Sequence, residues 1–96
     1  MRLIYEDGVL EEGLAAAVWY EMESNDLRDR FLKAWKATAS RISANPELYR
    51  CFRRDLRKCR FEVFPYLLVF RIRDDEIQVV AIAHMSRKPS YWEDRD

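Results

Sequence analysis

The sequence predicts an α+β domain with an N-terminal strand, an antiparallel helical hairpin, and then a mainly antiparallel sheet of three further strands. Two observations carry this prediction: apolar residues recur with a helical period in the first half, and short apolar or alternating runs separated by turn residues fill the second half. The 96 residues include only two glycines and three prolines. No flexible linker divides such a chain, so we expect residues 1–96 to form one domain.

The first strand is predicted over "MRLIY", a short run rich in β-branched and aromatic residues. Asp7 is predicted to cap a helix that starts near Val9 and ends around "ESND". Its apolar residues are spaced by three and four positions, which predicts one buried face. That predicted face consists of Leu10, Leu14, Ala17, Val18 and Met22.

Asn25 or Asp26 is predicted to cap a second helix, which ends before Pro46 because proline disfavours helical geometry in the preceding residue. The predicted buried set of this helix is Leu27, Phe31, Leu32, Trp35, Thr38, Ala39 and Ile42. The short connection predicts that the two helices lie antiparallel. Trp19, Tyr20 and Trp35 are expected to pack in the core or between the helices.

Three strands are predicted in the second half. Residues 56–64 alternate between basic or acidic and apolar side chains, "PYLLVFRI" is nearly all apolar at its centre, and "IQVVAIA" is apolar on both faces. Asp74 and Asp75 suit the turn between the last two strands. The last strand is expected to be central or covered by the helices.

Charge is segregated along this chain of zero net charge. Residues 1–49 hold six basic and nine acidic side chains, residues 50–73 hold eight and two, and residues 74–96 hold three and six. Lys58 and Arg60 are two apart on a predicted strand and therefore share a face, with Arg54 and Arg57 just before them. Such clustered cations favour phosphates or an acidic protein surface, and the alternative is a solvated face without a partner.

Other site chemistries find little support. No run is long and apolar enough for a membrane span, no Cys/His spacing suits a metal, and no cofactor is expected. Two cysteines without a secretion signal predict a cytoplasmic location.

His84 is a candidate general base, although a lone histidine at a strand end is more often a hydrogen-bonded structural residue. Tyr91 and Trp92 either stack on bases or close the core, and closing the core is the favoured role.

Three segments together resemble the RelE/ParE superfamily of toxins from bacterial toxin–antitoxin modules. They are "RFLKAWKATASRISANPELY", "FPYLLVFRI" and "DDEIQVVAIAHMSRKPSYW". The resemblance covers nearly the whole chain, to Trp92, and implies the same strand–helix–helix–strands fold. RelE-like members cut mRNA on the ribosome with a basic cluster, whereas ParE-like members inhibit DNA gyrase. Both kinds are neutralised by an antitoxin whose disordered tail folds onto the toxin.

The resemblance implies candidate residues for each function. If the chain is a nuclease, its catalytic residues are Lys58, Arg60, Arg87, His84 and Tyr91. Leu67 stands where the nuclease pattern has an arginine, and Glu93 stands where it has a tyrosine, so the resemblance is closer to the ParE branch. The resemblance also implies a partner-binding set, which is Arg53, Arg54, Arg57, Lys58, Arg60, Tyr66 and Arg87.

The leading hypothesis is a cytoplasmic gyrase-inhibiting toxin with an acidic cognate antitoxin that folds on binding. The alternatives are a ribosome-dependent mRNA endoribonuclease and a non-toxic binding module of the same fold. No membrane partner is expected.

Overall fold

The computed structural model describes residues 1–86 and confirms the α+β class. The elements are β1 (Arg2–Tyr5), α1 (Val9–Glu21), α2 (Asn25–Ala44), a short 3-10 helix (Pro46–Leu48), β2 (Cys51–Arg53), β3 (Leu56–Arg60), β4 (Tyr66–Arg73) and β5 (Glu76–His84). The two helices form a hairpin that packs on one face of the sheet, through contacts of α1 with β5 and of α2 with β1 and β3.

The strands form one sheet in the order β1-β5-β4-β3-β2. β1 pairs with β5 in parallel, and every other pair is antiparallel. β5 is therefore an interior strand between β1 and β4, in agreement with its two apolar faces. β2 was not predicted, because its three residues are all exposed and give no burial pattern. It pairs with β3 through a turn in which Arg54 has a φ of 51°, a conformation that sequence rules assign to Gly, Asn or Asp.

α1 begins at Val9 as predicted, but the N-caps of both helices differ from the predicted residues. Gly8, not Asp7, is the N-cap of α1, and its φ of 84° is a backbone geometry that glycine adopts without strain. Ser24, not Asn25 or Asp26, caps α2, and its hydroxyl accepts a hydrogen bond from the backbone N–H of Leu27 at 3.0 Å. The cap therefore lies where the chain leaves the turn between the helices.

The main core lies between the helices and the sheet. α2 contributes Phe31, Trp35, Thr38 and Ile42, all of them from its predicted buried face. Phe31 packs at 5.1–5.5 Å ring-centroid distance against Tyr20, Phe61, Phe64 and Tyr66. This aromatic cluster fixes the end of the helical hairpin against the start of β4.

The predicted buried face of α1 is wrong in four of its five positions. Leu10, Leu14, Val18 and Met22 are exposed, and only Ala17 is buried. The face that packs on the sheet is made mostly of small residues, namely Val9, Gly13, Ala16, Ala17 and Tyr20. Trp19, which was also expected to pack inside, is 62% exposed.

β3 ends at Arg60, four residues before the predicted end of the strand. The backbone N–H of Phe64 donates to the carbonyl of Glu62 at 2.8 Å, which closes a three-residue turn around Val63. Val63 has a φ of 72° and an 82% exposed side chain. This turn breaks the alternation and brings Phe61 and Phe64 into the core.

The sheet face away from the helices carries a second, smaller apolar cluster. Val69 of β4 lies between the core residues Leu68 and Phe70, so its side chain points to the opposite face. Leu56, Val80, Ala81 and Ala83 belong to the same cluster. Apolar residues thus line both faces of the central strands β4 and β5.

Candidate functional site

The exposed cations of β3 lie on the sheet face away from the helices. Leu56, Lys58 and Arg60 alternate along β3 with Arg57 and Cys59, and Cys59 belongs to the core on the helix side. Lys58 and Arg60 are both exposed. They share one face, as their spacing predicts, and we call this pair and the neighbouring Arg53–Arg54 turn the basic surface.

Neither Lys58 nor Arg60 is neutralised by a carboxylate within residues 1–86. The Lys58 ammonium lies 4.6 Å from the centre of the Phe52 ring, a cation–π distance. The ring of Phe52 therefore holds the ammonium at the sheet edge without cancelling its charge. Phe52 is a site residue that the sequence argument missed, because β2 itself was not predicted.

Apolar residues flank the two cations across the sheet. Arg60 pairs with Leu67, which pairs in turn with Ala83. Lys58 pairs with Val69, which pairs with Ala81. The cations thus form the edge of an apolar sheet face, and Leu67 lies directly beside Arg60.

The other basic residues of the segment are placed differently. Arg57 points to the helix side, where its Nη1 donates to the carbonyl of Tyr49 at 2.8 Å and its Nε is buried without a hydrogen-bond partner among the described residues. Arg71 is buried and pairs with Glu6 at 2.7 Å, and Arg73 pairs with Asp55 at 3.3 Å. Arg57, which the partner-binding prediction groups with Lys58 and Arg60, therefore lies on the opposite face of β3 from them.

Tyr66 and His84 lie together on the helix side, away from Lys58 and Arg60. They are cross-strand neighbours whose rings are 5.0 Å apart, and both line a cleft of about 640 Å³ beside α1. His84 Nδ1 lies 3.1 Å from the N–H of Ser86, which donates to it, so the proton of a neutral ring is on Nε2. Burial raises the pKa of the Tyr66 phenol, so this hydroxyl stays protonated at neutral pH.

Three predicted site residues fall in the part of the chain that the structure does not describe. Arg87, Tyr91 and Trp92 lie outside the described residues. Within residues 1–86, no three potential metal-ligating side chains lie together. No helix in that part of the chain is long and apolar enough to cross a membrane. Cys59 is buried, whereas Cys51 is exposed at the sheet edge.

Comparison with known proteins identifies the family. The profile described as "ParE toxin of type II toxin-antitoxin system, parDE" matches residues 3–89. The chain belongs to the ParE toxin family. No curated protein sequence matches this ParE-family chain.

Two solved structures share its fold. One is titled "Chromosomal ParDE TA system from P. aeruginosa", with a TM-score of 0.65 and 21% identity, and the alignment covers 88% of this chain and 95% of the other. The second is the isolated E. coli RelE toxin, with a TM-score of 0.60, 17% identity, and coverage of 98% and 94%. At these identities the likeness establishes the fold that ParE-family and RelE proteins share.

Proposed function

We propose that this ParE-family chain is the growth-inhibiting toxin of a bacterial type II toxin–antitoxin module, that it acts on DNA gyrase in the cytoplasm, and that a cognate antitoxin neutralises it. The observation that carries the proposal is the pair Lys58 and Arg60, exposed and without a carboxylate partner within residues 1–86. Such cations suit an anionic macromolecular surface.

The arrangement supports docking better than RNA cleavage. A ribonuclease places its cations and its proton-transfer group around one phosphate. Here His84 lies on the opposite sheet face from Lys58 and Arg60. The neighbour of Arg60 is the aliphatic Leu67, at the position where the nuclease pattern has an arginine. One fewer cation at a developing negative charge typically costs a few kcal/mol of barrier.

The second candidate function is a ribosome-dependent endoribonuclease, and the same pair of cations supports it. Lys58 and Arg60 match the paired basic residues of the nuclease pattern, and both are free to contact RNA phosphates. In that case Arg87 and Tyr91 would complete the site. The two candidates therefore differ in the target and not in the surface that meets it.

An enzyme assay tests the gyrase target. The purified full-length protein should inhibit supercoiling by purified gyrase, and the double variant Lys58→Glu/Arg60→Glu should lose at least ten-fold in potency. Lys36→Glu is the matched control, because Lys36 is an exposed cation on α2. Inhibition that survives the double charge reversal would contradict the basic surface as the docking site.

Induction in cells separates the three candidate functions. Intact mRNA together with DNA damage and altered plasmid supercoiling supports gyrase. New mRNA ends inside translated codons, lost in the same double variant, would replace the gyrase proposal with the nuclease. Soluble folded protein without any growth defect would favour the non-toxic binding module.

The antitoxin is expected to present an acidic segment that folds on binding. Its complex with the toxin should weaken with added salt, and further with Arg60→Glu, if it covers the basic surface. Arg57 is not used for this test, because its guanidinium faces the helix side and bonds to Tyr49. An affinity that is insensitive to both salt and Arg60→Glu would place the antitoxin elsewhere.

A further inference from the structure

The outer surface of α1 is apolar although no described element covers it. Leu10, Leu14, Val18 and Met22 follow one another at intervals of four residues, so they form one line along three turns of helix. Their exposure rises from 46% at Leu10 to 82% at Met22. We call this line the α1 stripe. A contiguous exposed apolar patch of this kind marks an interaction surface.

The cleft beside α1 adjoins the stripe, because its lining residue Glu11 lies one helical turn from Leu14. Trp19 is exposed at the edge of the cleft, and the aromatic rings of Tyr20 and Tyr66 lie deeper in it. Glu11 and Glu12 also line the cleft. Aromatic faces next to carboxylates suit a lysine or arginine side chain, which gains cation–π and charge-assisted contacts at once.

The charge on the α1 segment itself has one sign. Residues 6–24 contain six carboxylates and no lysine, arginine or histidine. Glu6 pairs with Arg71, and Glu21 pairs with Arg28 of α2 at 2.9 Å, so these two are compensated. Asp7, Glu11 and Glu23 form no ion pair with another described residue. The surface is therefore apolar along its centre and negative at its cleft edge, while α2 borders the other edge.

This charge pattern indicates which kind of binding partner is complementary to the surface. A second copy of the chain would bring two acidic edges together if its stripe packed on this one, and like charges at an interface are unfavourable. A helix with an apolar face and lysine or arginine at its edges matches both properties of the surface. An acidic segment, such as the one expected at the basic surface, does not.

We propose that the α1 stripe and the adjoining cleft bind a basic amphipathic helix of a partner protein. The apolar face of that helix covers Leu10, Leu14 and Val18, and one of its lysine or arginine side chains enters the cleft between Trp19 and Glu11. This assigns the chain a second protein-binding surface, on the opposite side of the sheet from the basic surface and of opposite charge. The inference does not depend on which target the toxin has.

Peptide binding to the full-length protein tests the proposal. The probe is a fluorescent helical peptide of leucine and lysine with one apolar face. One comparison peptide replaces lysine by glutamate, and another has the first peptide's composition in scrambled order without an apolar face. Fluorescence anisotropy should show at least ten-fold tighter binding of the amphipathic leucine–lysine peptide than of either comparison peptide.

Variants locate the binding surface. Leu14→Ser/Val18→Ser should weaken binding about ten-fold, whereas Leu48→Ser, which alters an exposed leucine on the remote 3-10 helix, should not. Glu11→Gln should weaken binding several-fold, and the exposed Glu47→Gln should leave it unchanged. An unchanged melting temperature shows that each variant is folded.

Several results would overturn the proposal. Equal binding of the scrambled peptide would mean attraction by charge alone. Unchanged binding in Leu14→Ser/Val18→Ser would place the peptide elsewhere, and a loss in Arg60→Glu would place it at the basic surface. Sedimentation that shows a dimer of the wild-type chain, abolished by Leu14→Ser/Val18→Ser, would identify a second copy as the occupant. None of these outcomes bears on gyrase inhibition.

Discussion

Gly13 sets the distance between α1 and the core at the residue scale. A Cβ at this position would lie 2.5 Å from Cζ3 of Trp35 and 2.8 Å from Cδ1 of Ile82. Both neighbours belong to the core cluster. The absence of a side chain therefore lets α1 pack closely on β5 and α2, which explains why the helix buries small residues and exposes large ones.

The variant Gly13→Ala should lose about 1–2 kcal/mol of unfolding free energy in urea denaturation. Alanine favours the helix by about 1 kcal/mol over glycine, but overpacking a filled core costs about 1–3 kcal/mol, and a Cβ closer than 3.0 Å to both Trp35 and Ile82 places the cost in the upper part of that range, about 2–3 kcal/mol. Gly8→Ala is the control: it meets no atom within 4 Å and costs only the strain of its positive φ, about 1 kcal/mol. A Gly13→Ala protein as stable as wild type would contradict the close contact.

Val63 is a β-branched residue with a φ of 72°. Its side chain is exposed, so no buried contact of the valine offsets the strain of this backbone conformation. This backbone conformation costs a non-glycine residue on the order of 1–2 kcal/mol. Val63→Asn should therefore raise the unfolding free energy by about 1 kcal/mol, because asparagine tolerates a positive φ. Calorimetry of Val63→Asn beside Val18→Asn, at an exposed helical valine, checks this, and a lower melting temperature for Val63→Asn would refute it.

The helices show how far the sequence determines local structure at the scale of the element. The period of α1 predicts its presence correctly, but the rule that large apolar residues are buried selects the wrong face. Gly13, Ala16, Ala17 and Tyr20 share a face at the same spacing. That face was distinguishable only by knowing that Trp35 fills the space above Gly13, which is a tertiary contact. Most large apolar residues of α2, in contrast, are buried as predicted, although Leu32 of the predicted set is exposed.

The N-cap of α2 gives a test at the same scale. Ser24→Ala removes the hydroxyl that accepts from the N–H of Leu27, and this should cost about 1 kcal/mol of unfolding free energy. Ser40→Ala is the control, because Ser40 is exposed within α2 and alanine favours a helix interior. Equal effects of the two substitutions in urea denaturation would show that the cap contributes nothing.

The sheet order and the site illustrate what the sequence could predict for the whole molecule. The two apolar faces of β5 predicted an interior strand, and the two-residue spacing predicted that Lys58 and Arg60 share a face. The alternation continued past Arg60 to residue 64 and hid the turn at Val63. It also gave no sign that Arg57, one residue from Lys58, turns inward to the carbonyl of Tyr49. The positions of charged residues in the sequence do not reveal which cations already form hydrogen bonds or ion pairs within the fold.

Stability should fall at alkaline pH because of buried phenols. Burial raises the pKa of Tyr5 by more than the hydrogen bond that its hydroxyl accepts from Trp35 lowers it. Burial also raises the pKa of Tyr20 and of Tyr66. Since the folded state holds these phenol protons more tightly than the unfolded chain, their contribution is complete below pH of about 10 and is lost as the pH rises past that value.

Urea denaturation at about pH 9 and about pH 11 should show a lower unfolding free energy at the higher pH, and Tyr66→Phe should reduce this fall. Tyrosine absorbance should show phenolate forming at higher pH in the folded protein than in urea. A phenolate titration that is identical in both states would show that burial does not affect these groups.

The fold separates charges that cancel in the whole chain. The acidic residues around α1 lie on the helix side of the sheet, and Lys58 and Arg60 lie on the other side. A molecule of zero net charge can therefore bind a polyanion through one side. The full-length protein should be retained on immobilised heparin at low salt and elute as salt screens the contact.

The double variant Lys58→Glu/Arg60→Glu should elute at distinctly lower salt, because it reverses two exposed cations of the basic surface. Lys36→Glu changes net charge by half as much but leaves the basic surface intact, so its elution should stay close to wild type. A second control, Glu47→Lys/Lys58→Glu/Arg60→Glu, partly restores net charge at a remote exposed site and should elute like the double variant. Elution that follows net charge across these proteins, irrespective of position, would show that retention does not come from the basic surface.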